Sequence, residues 1–295
     1  MAKSGAAPFF RKPIRSTADG ASGIRMARLT RTACNALQSQ MMRYEEQPPS
    51  SALAPYIESF WMFEIESGGA ARAHVIVPDG TLSISVTDLS GETHLKLTGP
   101  HTRARRIEAL PGAIYRGARL RAGAVKAALG VDPGLWVDAV APLAQVRPDI
   151  SAILASGYDR GTGLSGFKAQ VEASLRPDPA LLDAPVAALV AAIAAVEGET
   201  PLTALMRRGT LGPRQLRRRF IAATGLTPKT YARLRRVRRA CIGLAELPPG
   251  ELAALSADAG YADQPHFSRE MREVFGMSAH MLHAYLRQIA HHNVR

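Results

Sequence analysis

The sequence has little cysteine, no long apolar run and few aromatic residues. Cys34 and Cys241 are the only cysteines. Two cysteines exclude a disulfide framework and a four-cysteine zinc site, and they are typical of a protein in a reducing cytoplasm. The most apolar run, residues 185–196, falls short of the ~20 residues that span a bilayer, so no membrane partner is expected. With Asp183 as its cap and Pro185 in its first turn, this run predicts a packed helix.

Acidic residues are scarce at the C-terminal end. From residue 201 onward the chain has six acidic residues against fifteen arginines and one lysine. This surplus of ten positive charges makes up most of the net charge of +12. A concentration of positive charge suits a polyanionic partner, because each neutralised phosphate releases counterions. The alternative is a solvated, arginine-rich surface, but such a surface normally mixes both signs.

The N-terminal end is also basic but differs in composition from the rest. Eight lysines and arginines precede Tyr44, with Asp19 as the single acidic residue. No apolar segment of a secretory signal follows them. We predict that residues 1–45 are a disordered basic tail, which either adds nonspecific phosphate contacts or has no role. Met41 or Met42 is an alternative start.

Residues 46–178 are predicted to form a β-rich domain with trailing helices. Between residues 56 and 120 apolar and polar side chains alternate, and turn signals at 78–80 and 90–92 separate the segments. This pattern indicates a small antiparallel barrel or sandwich. Because a small barrel can hold a ligand, we predict an effector-binding or dimerisation domain, and the sequence does not identify the effector.

Three histidines in this half, His74, His94 and His101, raise the alternative of a metal-binding barrel. They include no His-X-His pair, and their spacing is poor for a metal site. Ordinary surface or hydrogen-bonded histidines are therefore favoured, and neither a metal nor a cofactor is predicted. The aromatic residues at 60–63 are predicted to belong to the core rather than to a ligand cage.

Residues 201–290 are predicted to form two helical hairpins joined by a long helix. A helix at 202–208, a turn and a helix at 213–223 form the first hairpin, and helices at 251–258 and 263–275 form the second. A long helix at 227–247 connects them, and residues 179–200 are predicted as a separate connector helix. In the second helix of each hairpin, apolar residues recur at helical spacing and leave arginine or glutamine on the outer face. These apolar residues are Leu216, Phe220 and Ala223 in the first hairpin and Phe267, Met271 and Val274 in the second. Asp263 is predicted to cap the second of these helices. This arrangement is typical of a helix that enters the major groove of DNA.

Two segments in this region carry a resemblance to a known family. Residues 225–231 (GLTPKTY) and 260–272 (GYADQPHFSREMR) resemble the signature of the AraC/XylS family of bacterial transcription regulators. The structural positions of the motif are Gly225, Pro228, Tyr231, Gly260, Tyr261, Phe267, Phe275 and Gly276. The resemblance implies a sequence-specific regulator with two recognition helices in successive major grooves. More loosely, residues 78–80 and 120–131 resemble a β-rich sensor domain that is fused to such readers.

The sequence departs from the family at two positions. Gly212 stands where Ser or Thr usually caps the first recognition helix, which costs only a few tenths of a kcal/mol. Ala279 stands where proline usually starts the closing helix. Neither departure removes a side chain that faces DNA.

By position in the motif, two groups of residues are expected to contact DNA. The candidates for base contacts are Arg214, Arg217, Arg218, Gln264, His266, Ser268 and Arg269. Arginine pairs with guanine and glutamine with adenine through two hydrogen bonds each. The candidates for phosphate contacts are Thr230, Arg235, Arg236 and Arg238, which lie on or near the long helix.

The expected fold is thus α+β, with a small antiparallel β domain followed by an all-α domain of two helix-turn-helix units. The expected function is that of a cytoplasmic, nucleoid-associated transcription regulator that binds double-stranded promoter DNA. A small-molecule effector, RNA polymerase and a second copy of the chain are its further expected partners.

One alternative is a DNA-repair alkyltransferase fused to such a reader, which needs a reactive cysteine. Cys34 lies in the predicted tail and Cys241 on the buried side of the long helix, so no enzyme is expected. Another alternative is a DNA-binding protein without an effector.

Overall fold

The computed structural model describes residues 42–65, 67, 72–196, 201–207, 211–246 and 252–293. Most of the predicted tail lies outside these ranges. Its last residues belong to a strand instead, because β1 (Met42–Gln47) pairs antiparallel with β2 (Ile57–Ile65). The predicted boundary at residue 45 therefore falls inside an ordered element.

The N-terminal half is an antiparallel β structure, as predicted. Its other strands are β3 (Arg72–Ile76), β4 (Ser83–Leu89), β5 (Glu92–Thr98), β6 (Arg105–Ala109), β7 (Ile114–Leu120) and β8 (Val140–Pro142). Six strands form one sheet in the order β1-β2-β7-β4-β5-β8, and β3 pairs with β6. Among the described strands the larger sheet has two edges, β1 and β8, instead of the closed ring of a barrel.

Alternating side chains bury one face of the larger sheet. In β4, Ile84 and Val86 are fully buried while the residues between them are half-buried. Helices cover this face, with Phe167 packed edge-on against Phe60 at a ring separation of 6.5 Å. These helices are α1 (Val125–Leu129), α2 (Leu143–Val146), α3 (Pro148–Ser156) and α4 (Gly163–Ser174).

The C-terminal half is all-helical, with the two hairpins and the long helix that the sequence predicts. Its helices are α5 (Ala184–Val196), α6 (Leu202–Arg207), α7 (Pro213–Thr224), α8 (Pro228–Glu246), α9 (Leu252–Asp258), α10 (Gln264–Phe275) and α11 (Ala279–Asn293). None of the described helices combines the length and the apolar character needed to cross a membrane.

Helix α5 does not behave as a separate connector. Val186 and Ile193 of α5 are buried in the same core as Leu216 and Phe220 of α7. The apolar face of α5 is thus part of the first helical hairpin, and the hairpin is incomplete without it. The sequence predicts the helix correctly but not its packing, because its neighbours lie beyond the reach of local periodicity.

The two halves share a core. Val75 and Val77, at the end of β3, are buried among the apolar side chains of α8, α9, α10 and α11. The backbone N–H of Val75 donates to the hydroxyl of Tyr285 on α11 at 2.7 Å. The backbone N–H of Ala104 donates to the carbonyl of Val274 on α10 at 2.8 Å. The small β3–β6 sheet is therefore docked on the second hairpin.

Candidate nucleic-acid interface

The first hairpin presents arginines on the outer face of α7. Leu216 and Phe220 are buried, and Thr224 is anchored by its hydroxyl, which donates to the carbonyl of Phe220 at 2.8 Å. The predicted inner residue Ala223 is only partly buried. The helix starts at Pro213, whose fixed φ suits the first helical position.

The opposite side of α7 is open to solvent. The base-contact candidates Arg214, Arg217 and Arg218 are all exposed. Arg219 lies apart from them, because its Nε donates to the carboxylate of Asp183 at 2.6 Å. Three of the four arginines of α7 thus form one basic face that can meet DNA.

The second hairpin repeats this arrangement in α10. Phe267, Met271 and Val274 are buried as predicted. Asp263 caps the helix by accepting the backbone N–H of His266 at 2.6 Å, which confirms the predicted cap. Because the cap fixes the first turn, the side chains that follow it have defined directions.

The second group of base-contact candidates lies on the outer side of this helix. Arg269 is exposed, whereas Gln264, His266 and Ser268 are half-buried. The ring of His266 meets the edge of Tyr261 at 5.4 Å. Arg272 is also exposed and adds a positive charge that was not among the predicted contacts.

Helix α10 is tied to the long helix by a buried carboxylate. Glu270 is 7% exposed and accepts a hydrogen bond from Nε of Arg233 at 2.8 Å. Nη2 of Arg236 lies 3.3 Å from the same carboxylate, and its guanidinium stacks on the Tyr261 ring at 4.8 Å. These contacts fix the direction of α10 relative to α8.

Two of the four residues predicted to contact phosphate, Arg235 and Arg238, are buried in this structure. Arg235 is 5% exposed and Arg238 is 8% exposed, so neither side chain can reach a phosphate in this arrangement. Arg236 is engaged with Glu270. Thr230 is half-buried, and Thr227 Oγ1 accepts its backbone N–H at 3.1 Å. The exposed arginines of α7 and α10 are more accessible to a partner than these four residues.

The buried arginines of α8 face carboxylates of the N-terminal half. Nη1 of Arg235 lies 3.6 Å from Glu58 on β2. Nε of Arg119 on β7 lies 2.8 Å from Asp79 and its Nη1 lies 3.6 Å from Glu46. We call Glu46, Glu58, Asp79, Arg119, Arg235 and Arg238 the interdomain charge cluster. Sequence reasoning missed it because its acids and its arginines come from distant segments.

The electrostatics of the cluster follow from its burial. Burial on its own would raise the pKa of Asp79, but Arg119 and the hydrogen bonds from Thr81 outweigh it and lower that pKa. Burial lowers the pKa of Arg238, and the neighbouring Arg235 and Arg119 lower it further. Next to the cluster, the turn at Gly80 adopts a φ of +74° and lies against the Tyr231 ring. The interdomain charge cluster and the packing of Gly80 on Tyr231 thus both hold α8 against the N-terminal half.

The histidines and the cysteine that the alternative functions would require lie elsewhere. His74 stacks on Phe63 at 4.8 Å, and burial lowers its pKa to about 4. His94 is exposed, and His101 lies 3.6 Å from Asp138. Within the described ranges no group of three or more His, Cys, Asp or Glu residues could hold a metal ion. Cys241 is buried, and burial raises the pKa of its thiol.

Two protein families match separate parts of the chain. Residues 205–284 match the family described as a helix-turn-helix domain. Residues 45–142 match a domain of unknown function, DUF6597. No curated protein matches the chain significantly.

Three solved structures resemble the chain distantly. The structure of ToxT from Vibrio cholerae O395 has 7% identity and a TM-score of 0.36, covering 83% of this chain and 96% of that one. A 1.65 Å structure of ToxT from Vibrio cholerae has 8% identity and a TM-score of 0.35, with coverages of 83% and 98%. Unsaturated fatty acid bound wild-type ToxT from Vibrio cholerae strain SCE256 has 8% identity and a TM-score of 0.34, with coverages of 83% and 94%.

Proposed function

We propose that this chain, a DNA-binding transcription regulator whose residues 205–284 form an AraC-type helix-turn-helix domain, reads a specific DNA sequence with two recognition helices. The observation that carries this proposal is the repeated design of α7 and α10. Each helix buries an apolar stripe, while Arg214, Arg217 and Arg218 of α7 and Arg269 of α10 stay exposed. Two such helices joined by a rigid long helix suit successive major grooves on one face of DNA.

The side chains of the two recognition helices are proposed to make different kinds of contact with DNA. An exposed arginine can donate two hydrogen bonds to O6 and N7 of guanine, which is worth about 1–3 kcal/mol of discrimination. Gln264 can pair with adenine in the same way. His266 and Ser268, at the edge of the same face, are proposed to contact the neighbouring bases. Arg272, exposed on α10, is the phosphate contact that we propose in place of the buried arginines of α8.

We further propose that the N-terminal half makes the regulator responsive to an effector. The support is physical continuity, because Val75 and Val77 are buried in the core of the second hairpin. The interdomain charge cluster adds a second connection, to the middle of α8. A rearrangement of the β domain would therefore change how α8 and α10 are held. We also propose RNA polymerase and a second copy of the chain as partners of this regulator.

An alkyltransferase-type activity has less support. Such an enzyme needs an accessible thiolate, whereas Cys241 is 2% exposed and its thiol is kept protonated by burial. Cys34 lies outside the described residues. We therefore propose a regulator that performs no catalysis.

The experiment that tests the function is a selection of DNA sites. The full-length chain is incubated with a library of randomised duplexes, and the bound fraction is sequenced. We expect a motif in two parts whose centres lie about one helical turn, roughly 34 Å, apart. If no motif is enriched, the chain binds DNA without sequence preference, and this result would contradict the proposal.

A further inference from the structure

One arginine of the β domain is buried without a carboxylate partner. Arg116 on β7 is 1% exposed, and its register places it between Met62 of β2 and Val86 of β4. A guanidinium in such a place normally pairs with an acid, because a buried charge costs several kcal/mol when it is left unpaired. Within the described residues no ion pair joins Arg116 to an acidic side chain.

The guanidinium fork of Arg116 is filled by two backbone carbonyls. Nη1 donates to the carbonyl of Asp159 at 3.1 Å, and Nη2 donates to the carbonyl of Arg160 at 2.5 Å. The guanidinium also lies 5.3 Å from the centre of the Tyr158 ring. Nε is buried and has no hydrogen-bond partner among the described atoms. Two acceptors side by side on the fork occupy the places that the two oxygens of a carboxylate would take.

The charges around Arg116 do not balance. Asp88 is 1% exposed, and its carboxylate accepts from Nη1 of Arg160 at 2.8 Å and from the hydroxyl of Tyr158 at 3.0 Å. The carboxylate of Asp159 points back to its own loop, where it accepts the N–H of Gly161 at 2.7 Å. The carboxylate of Asp88 is thus balanced by Arg160, whose side chain is 43% exposed, and among the described residues no carboxylate pairs with the buried Arg116.

The segment that covers Arg116 is suited to movement. We call residues 157–163, with the sequence GYDRGTG, the cover loop. Residues 159–162 are exposed, and Gly163 adopts a φ of +65° with open space around it. Most of its anchors are polar contacts of Tyr158 and Arg160, including one from Arg160 to the carbonyl of Gly112 at 2.8 Å. Polar contacts can be exchanged for those of a ligand at little net cost.

We propose that Arg116 is the anchor of a binding site for a small organic carboxylate, which displaces the carbonyls of Asp159 and Arg160 and opens the cover loop. The carboxylate supplies the missing negative charge and two acceptors in the plane of the guanidinium. This site rests on the proposed response to an effector and gives that effector a chemical class. Three residues along the same strand, Arg119 belongs to the interdomain charge cluster, which also contains Arg235 of α8, so a change at β7 can affect α8 through this cluster.

The first test measures the thermal unfolding of the full-length chain with simple carboxylates. Benzoate and hexanoate are the probes, with benzamide and hexanamide as neutral isosteres. At ten times the dissociation constant, the carboxylate is expected to raise Tm by about 3 °C, and the amides are expected to leave it unchanged. No shift with either carboxylate, or an equal shift with its amide, overturns the proposal. A shift with inorganic phosphate alone overturns the assignment to carboxylates.

The second test follows the cover loop directly. Trypsin cleaves after arginine, and the guanidinium of Arg160 contacts Asp88 while the loop is closed, so we expect slow cleavage at Arg160 without a ligand. The carboxylate is expected to speed cleavage after Arg160 several-fold, as detected by mass spectrometry of the fragments. Unchanged or slower cleavage at Arg160 in the presence of a carboxylate that binds would contradict opening of the loop. This measurement needs only the natural chain.

Variants separate a ligand anchor from a merely structural arginine. Arg116→Gln is expected to abolish the response to carboxylate, and retention of the response by the folded variant contradicts the proposal.

Tyr158→Phe removes a hydrogen bond that closes the loop, so it is expected to bind carboxylate more tightly by several-fold. Tyr115→Phe, on the same strand as Arg116, is the matched control and is expected to change nothing. Neither outcome depends on DNA, so failure here leaves the DNA-binding proposal intact.

Discussion

The carboxylate of Glu270 on α10 accepts a hydrogen bond from Nε of Arg233 on the long helix at 2.8 Å. Arg236, one turn further along the long helix, contacts the same carboxylate at 3.3 Å. Glu270 faces inward on a helix whose outward face carries Arg269 and Arg272. The buried Glu270 can therefore determine the direction of the exposed arginines beside it on α10.

Glu270→Gln is expected to relax base preference at the half-site of α10 and to leave the half-site of α7 unchanged. The substitution keeps an acceptor but removes the charge that holds two guanidinium ions, at a cost of about 1–2 kcal/mol in the free energy of unfolding. The measurement is site selection from a randomised library, together with urea unfolding. Glu273→Gln is the matched control, because Glu273 contacts the same Arg233 at 2.9 Å but has a side chain that is 60% exposed. Equal effects of the two variants would contradict the special position of Glu270.

Arg235→Ala is expected to lower stability instead of weakening a phosphate contact. The substitution leaves Glu58 without its partner at the interface of the two halves, which costs about 1–3 kcal/mol. The salt dependence of DNA binding should stay the same, since no phosphate is released. Arg272→Ala is the comparison variant, and it is expected to reduce the slope of log K against log salt by about one. A reduced slope for Arg235→Ala would show that Arg235 reaches DNA after all.

His74 is expected to make stability depend on pH. Burial lowers its pKa to about 4, below the ~6.5 of an unfolded chain, so the unfolded state binds the proton first. The stability is therefore complete above about pH 6.5 and falls as the pH drops from there towards 4, by up to about 3 kcal/mol. Urea unfolding of the natural chain and of His74→Phe at pH 7 and pH 5 checks this.

The variant should lose less stability than the natural chain between these two pH values. His101 is also buried, and its pKa is lowered in the same direction, so the natural chain alone does not isolate His74. The difference in pH dependence between the natural chain and His74→Phe isolates the contribution of His74. An identical pH dependence in both would contradict the assignment to His74.

A fragment that starts at residue 201 is expected to fold poorly, whereas one that starts at residue 179 is expected to fold. The first lacks α5, whose Val186, Leu189 and Ile193 fill the core around Phe220. Loss of several buried aliphatic side chains removes about 1.5–3 kcal/mol for each. Circular dichroism and thermal unfolding of both fragments provide the measurement. A cooperative, stable fragment from residue 201 would show that α5 is a connector.

The sequence predicts the helical half well because its signals are local. The buried residues of α7 and α10 recur at helical spacing, and Asp263 caps α10 where a capping residue is expected. The ends of these helices are marked by Gly225 and Gly276, both in the left-handed conformation that favours glycine. Each of these features depends on neighbours within a few residues.

The structural features that the sequence does not predict have a common cause. Arg235 and Arg238 carry the charge of phosphate ligands, but their surroundings come from Glu58 and Asp79, more than 150 residues earlier in the chain. β1 is paired with β2 within a segment whose composition favours disorder. Charge and composition describe the residue itself, whereas burial is decided by what packs on it.

Base reading by α7 and α10 is tested by comparing the site preferences of Arg218→Ala and Arg269→Ala with those of the natural chain. Binding to a randomised library is sequenced for each variant of the full-length protein. The account predicts that each variant loses about 1–3 kcal/mol at one or two base positions, and that the two sets of positions lie about one helical turn apart. A loss that is uniform over all sequences for both variants would show that these helices hold the backbone and do not read bases.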